Sequence, residues 1–333
     1  MIDLDGAEIL VTGGTGSFGQ RFIRKLLEDH KPRRVIVFSR DEMKQYEMAQ
    51  RPWIDEDNRV RFFIGDVRDR DRLEMAMRGV NYVVHAAALK HVPAAEYNPF
   101  ECIHTNVLGA ENVVQAAIRS GVSRVIALST DKAANPINLY GASKLASDKI
   151  FSAANHLSGR EGTRFSVVRY GNVVGSRGSV IPFFRRLIDE GAPALPITDE
   201  RMTRFWITLE QGVDFVLTCL DMMQGGEIFV PKIPSMKMVD LARCLAPDMP
   251  QKVVGIRPGE KLHEVMITED DSRTTLELRD RYVIQPSFRW WSTEAMTIEG
   301  AQPVKDGFRY ASDTNDDWLD DAGLRRLLET HEK

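Results

Sequence analysis

The chain has 333 residues, of which 43% are hydrophobic and 28% charged, an ordinary globular balance that excludes a disordered, collagen-like or coiled-coil chain. Forty-four Lys and Arg against 48 Asp and Glu give a net charge of -4, which argues against a protein whose main work is gripping nucleic acid. Its three cysteines, Cys102, Cys219 and Cys244, are scattered, so neither a disulfide framework nor a metal site is expected, and a reducing cytoplasm fits. The acidic start Met1-Ile2-Asp3-Leu4-Asp5 has no signal-peptide pattern, and no apolar run approaches the ~18 residues that span a bilayer.

The first half alternates strand and helix. Glu8–Thr12 reads as a strand ending at a glycine loop, and Gln20–Glu28 carries Phe22, Ile23, Leu26 and Leu27 at helical spacing. Further strands are predicted at 34–39, 60–65, 82–87, 125–129 and 165–170, with the clearest helices at 100–119 and 140–157. Nearly continuous apolar strands between amphipathic helices predict a doubly wound α/β fold whose parallel sheet is covered on both faces. After about Asn172 prolines and glycines multiply and strands shorten to 227–231, 252–256 and 282–285. A smaller, irregular α/β substrate domain is expected over about 173–204 and 227–333, with residues 1–172 and about 205–226 forming the first domain. The helix expected over 208–223 returns to that first domain, while 298–317 carries no pattern.

The loop Thr12-Gly13-Gly14-Thr15-Gly16-Ser17-Phe18-Gly19 lies between the first strand and first helix. Residues without a Cβ allow the tight turn and let a pyrophosphate reach the helix N-terminus, so Gly13, Thr15, Gly16, Ser17 and Phe18 are candidate dinucleotide contacts of a Rossmann domain. The second strand ends in Ser39-Arg40-Asp41, with Lys44 one turn on. A hydroxyl and two cations suit a ribose 2′-phosphate and favour NADP. Asp41, close by, keeps NAD open. Asp66 and Val67 after the third strand suit the adenine, and Ala86 after the fourth lets a cofactor lie close to the backbone.

Tyr140-Gly141-Ala142-Ser143-Lys144 sets a phenol and an ammonium at i and i+4 on one helix face. A nearby ammonium is expected to lower the phenol pKa from about 10 and make Tyr140 a base. Upstream, Asp131 and Lys132 end the fifth strand, where open α/β sheets bind ligands.

These residues resemble the extended short-chain dehydrogenase/reductases, and among them the inverting UDP-N-acetylglucosamine 4,6-dehydratases of pseudaminic acid biosynthesis. The resemblance runs through TGGTGSFG from Thr12, HAAALKHVPAAEYNPFE from His85, STDKAANPINLYGASK from Ser129, RYGNVVGSRGSVIPFF from Arg169 and IRPGEKLHEVMI from Ile256, and is weakest after Thr268. It implies a lyase that recycles a tightly held NADP. Tyr140, supported by Lys144, would take the C4 hydroxyl proton during oxidation. Lys132 would remove the C5 proton, and Asp131 would protonate the leaving C6 hydroxyl. A proton returned to C5 on the opposite face would invert that carbon. This work needs protonated Asp131 and neutral Lys132, although adjacent residues of this kind favour each other's charged forms; burial and cations such as Lys144 or Lys90 are expected to oppose that. The resemblance also implies UDP-sugar contacts by Lys90, Asn172, Arg177, Arg204, Arg257 and Glu260, and a homo-oligomer. A 4-epimerase and a silent NADP-sensing protein are the alternatives; Asp131 with Lys132 speaks against the first, and the intact set of four against the second.

Overall fold

The computed structural model describes residues 2–54, 57–175, 179–290 and 297–332. In chain order, β1 (Glu8–Thr12), α1 (Ser17–Asp29), β2 (Arg34–Ser39), α2 (Glu42–Ala49), β3 (Val60–Ile64), α3 (Arg70–Ala76) and β4 (Tyr82–His85) come first. Next are α4 (Val92–Tyr97), α5 (Pro99–Ile103), a π-turn at His104–Leu108, α6 (Gly109–Ser120), β5 (Arg124–Thr130), α7 (Leu139–Ser158) and β6 (Arg164–Tyr170). β1 and most of β2, β5 and β6 are buried, as expected of strands covered on both faces.

These strands lie in the order β3-β2-β1-β4-β5-β6, all parallel, which is the doubly wound arrangement read from the sequence. The order reverses beside β1, so the loops after β1 and β4 open a crevice at the strand carboxyl ends. Gly13 takes φ +67°, and a Cβ there would lie 2.9 Å from the Ala87 amide nitrogen, so only glycine lets these two loops close together.

The second half adds β7 (Asn172–Val173), α8 (Val180–Asp189), β8 (Leu195–Ile197), β9 (Thr203–Ile207), α9 (Leu209–Met222), β10 (Ile228–Pro231), β11 (Ser235–Lys237) and α10 (Met238–Leu245). It ends with β12 (Gln251–Val253), β13 (Val265–Ile267), β14 (Thr275–Glu277), β15 (Arg281–Ile284), β16 (Gln302–Pro303), β17 (Tyr310–Ala311) and α11 (Asp321–Glu332). α9 returns to the first domain, where its Glu210 and Asp214 pair with Arg21 and Lys25 of α1. β10 joins β6 in parallel, and β15, β14 and β16 follow it antiparallel. Four strands assigned by composition to the second domain thus extend the main sheet. The apolar runs of β10 and β15 carry no mark of which sheet they join, and β14 (Thr-Leu-Glu) and β16 (Gln-Pro) are too short and polar to read as strands. A separate core around Ile181, Phe184, Trp206, Leu241 and Leu324 belongs to the smaller lobe.

One buried ion pair ties α7 to both halves. Arg169 of β6 reaches Asp148 of α7 at 3.2 Å and donates to the Met266 carbonyl of β13, while the Ser129 hydroxyl donates to Asp148. Removing one member strands the other charge away from water. Asp148→Ala is expected to cost about 3–5 kcal/mol, read as a lower urea midpoint at unchanged slope; a loss under about 1 kcal/mol would place this pair among exposed ones in effect.

Candidate active site

A cavity of about 720 Å³ runs along the carboxyl ends of the parallel strands. At one end the glycine loop supplies Gly13, Thr15, Gly16, Ser17 and Phe18 to its wall. Gly16 caps α1 without a side-chain hydrogen bond, so no side chain obstructs the first amides of this 13-residue helix. Bare backbone and a positive helix end suit a pyrophosphate. Ser39, Arg40, Asp41, Lys44, Asp66, Val67 and Ala86 line the same cavity, and the Thr15 and Ser39 hydroxyls are hydrogen-bonded at 2.9 Å in its wall. The donor set fits a dinucleotide. Asp41 caps α2 by accepting from the Lys44 amide and also pairs with the Lys44 ammonium at 2.8 Å. Arg40 lies 3.7 Å from Asp66.

At the other end stand Lys90, Lys132, Tyr140, Lys144 and Asn172. Asn138 caps α7 by accepting from the Gly141 amide, and its own amide donates to the Gly259 carbonyl of the smaller lobe. Tyr140 and Lys144 therefore start a helix anchored from both sides. A Cβ on Gly141 would meet the Lys132 carbonyl oxygen at 2.3 Å, so the second residue of the Tyr-Gly-Ala-Ser-Lys run sets how closely Tyr140 and Lys132 approach. Thr130 joins them: its hydroxyl donates to Asp131 Oδ1 at 2.8 Å and is hydrogen-bonded to Tyr140.

The charges differ from expectation. Burial pushes the Tyr140 phenol up to about 12; Lys132 and the Thr130 hydroxyl oppose it, while Asp131 adds to it. Lys144 is not among the groups that shift the phenol most; its Nζ donates to the Leu128 carbonyl at 2.7 Å and burial lowers its own pKa. Burial, then the Glu264 carboxylate, raise Asp131 above the usual carboxylate range. Lys132 is held above its ordinary value against burial, because Asp131 lies at 3.1 Å and Glu264 at 3.2 Å. The expected lowering by Lys144 or Lys90 is replaced by a cage of carboxylates, and the opposing cation is Arg204.

Several expected substrate contacts lie elsewhere. Arg204 is buried and turned into its own lobe, donating to the carbonyls of Thr203, Leu262 and Lys261 and lying 3.4 Å from Glu260. Glu260 is half-buried on that guanidinium, and Arg257 is exposed; none of these three lines the cavity. Arg177 lies outside the described residues. Glu264 was not singled out from the sequence, although a carboxylate heading the apolar run Val265-Met266-Ile267 is a signal of a buried charge with partners. His85 accepts no catalytic part: its Nδ1 is 2.8 Å from the Thr12 hydroxyl, and burial, aided by Lys144, lowers its pKa to about 3. Among the described residues no group of three or more His, Cys, Asp or Glu could hold a metal, and no helix is long and apolar enough to cross a membrane.

A parallel sheet with a glycine-lined crevice, carrying a Tyr-x-x-x-Lys helix beside it, defines a dinucleotide-type α/β fold. The sequence profile of the family described as "Polysaccharide biosynthesis protein" matches residues 9–286. A protein of Campylobacter jejuni named UDP-N-acetylglucosamine 4,6-dehydratase (inverting) is 57% identical over 330 residues, 97% of this chain and 98% of that one. The X-ray structure of Pen from Bacillus thuringiensis matches with a TM-score of 0.90 at 35% identity, covering 99% of both chains. DesIV of Streptomyces venezuelae, a dTDP-glucose 4,6-dehydratase solved with NAD bound, matches with a TM-score of 0.67 at 27% identity over 77% of this chain and 86% of that one. The chain belongs to this polysaccharide biosynthesis family, on the extended short-chain dehydrogenase/reductase fold.

Gly141→Ala tests the geometry. The added methyl forces Tyr140 and Lys132 apart, and a displacement near 1 Å is expected to cost about a hundredfold in turnover, with dinucleotide affinity by fluorescence unchanged. Full turnover would show that the spacing is not critical.

Proposed function

We propose that the protein is a nucleotide-sugar 4,6-dehydratase that uses NADP, acts on UDP-N-acetylglucosamine and inverts C5, the first step of pseudaminic acid biosynthesis. The observation that carries this reading is the hydrogen-bonded run Tyr140–Thr130–Asp131–Lys132, in which Tyr140, Thr130 and Lys132 line the cavity and Asp131 lies buried behind them, outside the lining. The named relative from Campylobacter jejuni supports the substrate and the stereochemistry. Support for NADP is local: Asp41 is occupied by its helix cap and Lys44, while Ser39, Arg40 and Lys44 line the cavity wall together.

When bound, the dinucleotide supplies a reversible oxidation, accepting hydride from C4 and returning it at C6. The chain's residues move the protons. Tyr140 takes the C4 hydroxyl proton, with the Lys132 charge and the Thr130 hydroxyl favouring the phenolate against burial. The C4 carbonyl then acidifies C5, and Lys132, which reaches its amine form by losing the resting ammonium proton to solvent, accepts the C5 proton. Asp131, in its acid form, gives a proton to the C6 hydroxyl, which leaves as water. The Lys132 ammonium gives its proton to solvent, and a proton reaching C5 on the face opposite the one Lys132 deprotonated inverts that carbon. Lys90 and Asn172 line the wall where the sugar would lie. A 4-epimerase has no use for an acid at C6 or a base at C5, so Asp131 and Lys132 favour the dehydratase.

Incubation with UDP-N-acetylglucosamine is expected to yield a 4-keto-6-deoxy sugar with no net consumption of NADP, read by mass spectrometry. Asp131→Asn is expected to keep cofactor binding and lose at least about a hundredfold in water loss, the scale of general acid catalysis. Unchanged turnover would remove Asp131 from the chemistry. Arg40→Ala is expected to weaken NADP about tenfold, the worth of one charge-assisted hydrogen bond, and to leave NAD unaffected. Tighter binding of NAD than NADP by the native protein would overturn the cofactor assignment.

The Asp131–Lys132 pair works with one proton between its two members. Fully protonated, it lacks a base; fully deprotonated, it lacks an acid. The rate is expected to rise with pH as the first proton leaves and fall as the second leaves. A kcat/KM profile that is flat across both limbs would contradict this assignment.

A further inference from the structure

Lys132 does not sit on Asp131 alone. Its Nζ lies 3.1 Å from Asp131 Oδ1 and 3.2 Å from Glu264 Oε1, so two carboxylates share one ammonium. Both carboxylates are buried, with side chains 1% and 2% exposed. Like charges in such a site cannot both ionise cheaply, and one retains a proton. The neighbours decide which. Glu264 has two further cations, Arg204 Nε at 3.7 Å and Lys261 Nζ at 4.0 Å. Asp131 has Lys132 and the Thr130 hydroxyl on Oδ1. Its Oδ2 and Glu264 Oε2 are both buried with no hydrogen-bond partner, but Oε2 faces the Lys261 ammonium at 4.0 Å, whereas among the described residues Asp131 pairs with no cation besides Lys132. An orphaned carboxylate oxygen is expensive as an anion and suited to carry a proton. Of the remaining polar neighbours, the Tyr140 hydroxyl is neutral at rest, and Lys261 feels Asp131 as well as Glu264.

We propose that Glu264 is a positioning residue of the water-loss step: by sharing the Lys132 ammonium it holds the negative charge of the cluster and leaves the proton on Asp131. Glu264 lines no part of the cavity and acts through the other two residues. It precedes β13, in the strand run that also accepts Arg169, whereas Asp131 and Lys132 follow β5. The acid form of Asp131 therefore depends on the smaller lobe being seated on the sheet. The charge directions agree: burial works against the Glu264 anion, yet Lys132, Arg204 and Lys261 hold it below the usual carboxylate range, while Glu264 adds to the upward shift of Asp131.

The inference deepens the dehydratase reading and rests on it for its kinetic consequence. It is tested on the full chain by infrared titration of the protonated carboxyl band, assigned to Asp131 by its loss in Asp131→Asn. In Glu264→Gln the midpoint of that band is expected to fall by at least about one pH unit, a tenfold loss of proton affinity. Glu264→Asp keeps the charge and is expected to stay within about half a unit of the native value. Both limbs of the kcat/KM profile are expected to move to lower pH in Glu264→Gln, because the anion raises the proton affinity of both Asp131 and Lys132. A structural role alone would lower the rate evenly at every pH. An unmoved midpoint in Glu264→Gln overturns the proposal. So does a native Asp131 that ionises near about 4, the ordinary carboxylate value, a measurement that needs no Glu264 variant to fold. A native protein that titrates as described yet dehydrates no UDP-sugar refutes the function and leaves the role of Glu264 standing.

Discussion

The site depends on one ammonium held between two buried carboxylates. Lys132 lies within 3.2 Å of both Asp131 and Glu264, and neither carboxylate has water to share its charge. Removing either carboxylate changes the protonation of the other two groups. That coupling keeps the proton on Asp131 while Lys132 rests as the ammonium, and the pair gains its base when Lys132 loses one proton. It also explains why the pair sits at a boundary: one carboxylate follows the last residue of β5, and the other comes from the smaller lobe.

The fold serves this arrangement in a specific way. The doubly wound sheet fixes the ends of β1, β4, β5 and β6 on one side, so the glycine loop, Thr130 and Lys132 open onto one cavity. α7 then brings Tyr140 alongside, and the missing side chain at Gly141 sets its distance from the turn. Asn138 and Lys261 cross between lobes, donating to the carbonyls of Gly259 and Ala134. The Asn138 contact locates its elements without adding charge, whereas Lys261 also brings an ammonium to within 4.0 Å of Glu264.

The parallel strands, the glycine loop and the Tyr140–Lys144 helix were legible in the sequence because each is a local pattern: an apolar run, a missing Cβ, a spacing of four. Of the four strands added to the main sheet after Glu227, β10 and β15 were legible as strands but not as members of that sheet, since pairing is decided by residues far apart in the chain, and the short β14 and β16 were not legible at all. Arg204 illustrates the same limit. A guanidinium in a substrate domain suits a pyrophosphate, yet its donors are taken by carbonyls of residues 203, 261 and 262. The Tyr140 charge was misjudged for another reason. Helical spacing places Lys144 on the same face, but the carbonyl of Leu128 takes its Nζ, and burial governs the phenol. Glu264 is 132 residues from Lys132 and has no motif around it, so only the folded chain could join them.

The proton chemistry assigned to Tyr140, Asp131 and Lys132 has one direct readout. Turnover of UDP-N-acetylglucosamine in deuterated water, followed by proton NMR of the product, reports whether the C5 hydrogen is exchanged and on which face it returns. A 4-keto-6-deoxy sugar carrying deuterium at C5 in inverted configuration is the expected result. A 4-epimer that keeps its C6 hydroxyl, or a keto sugar whose C5 hydrogen never exchanges, contradicts it.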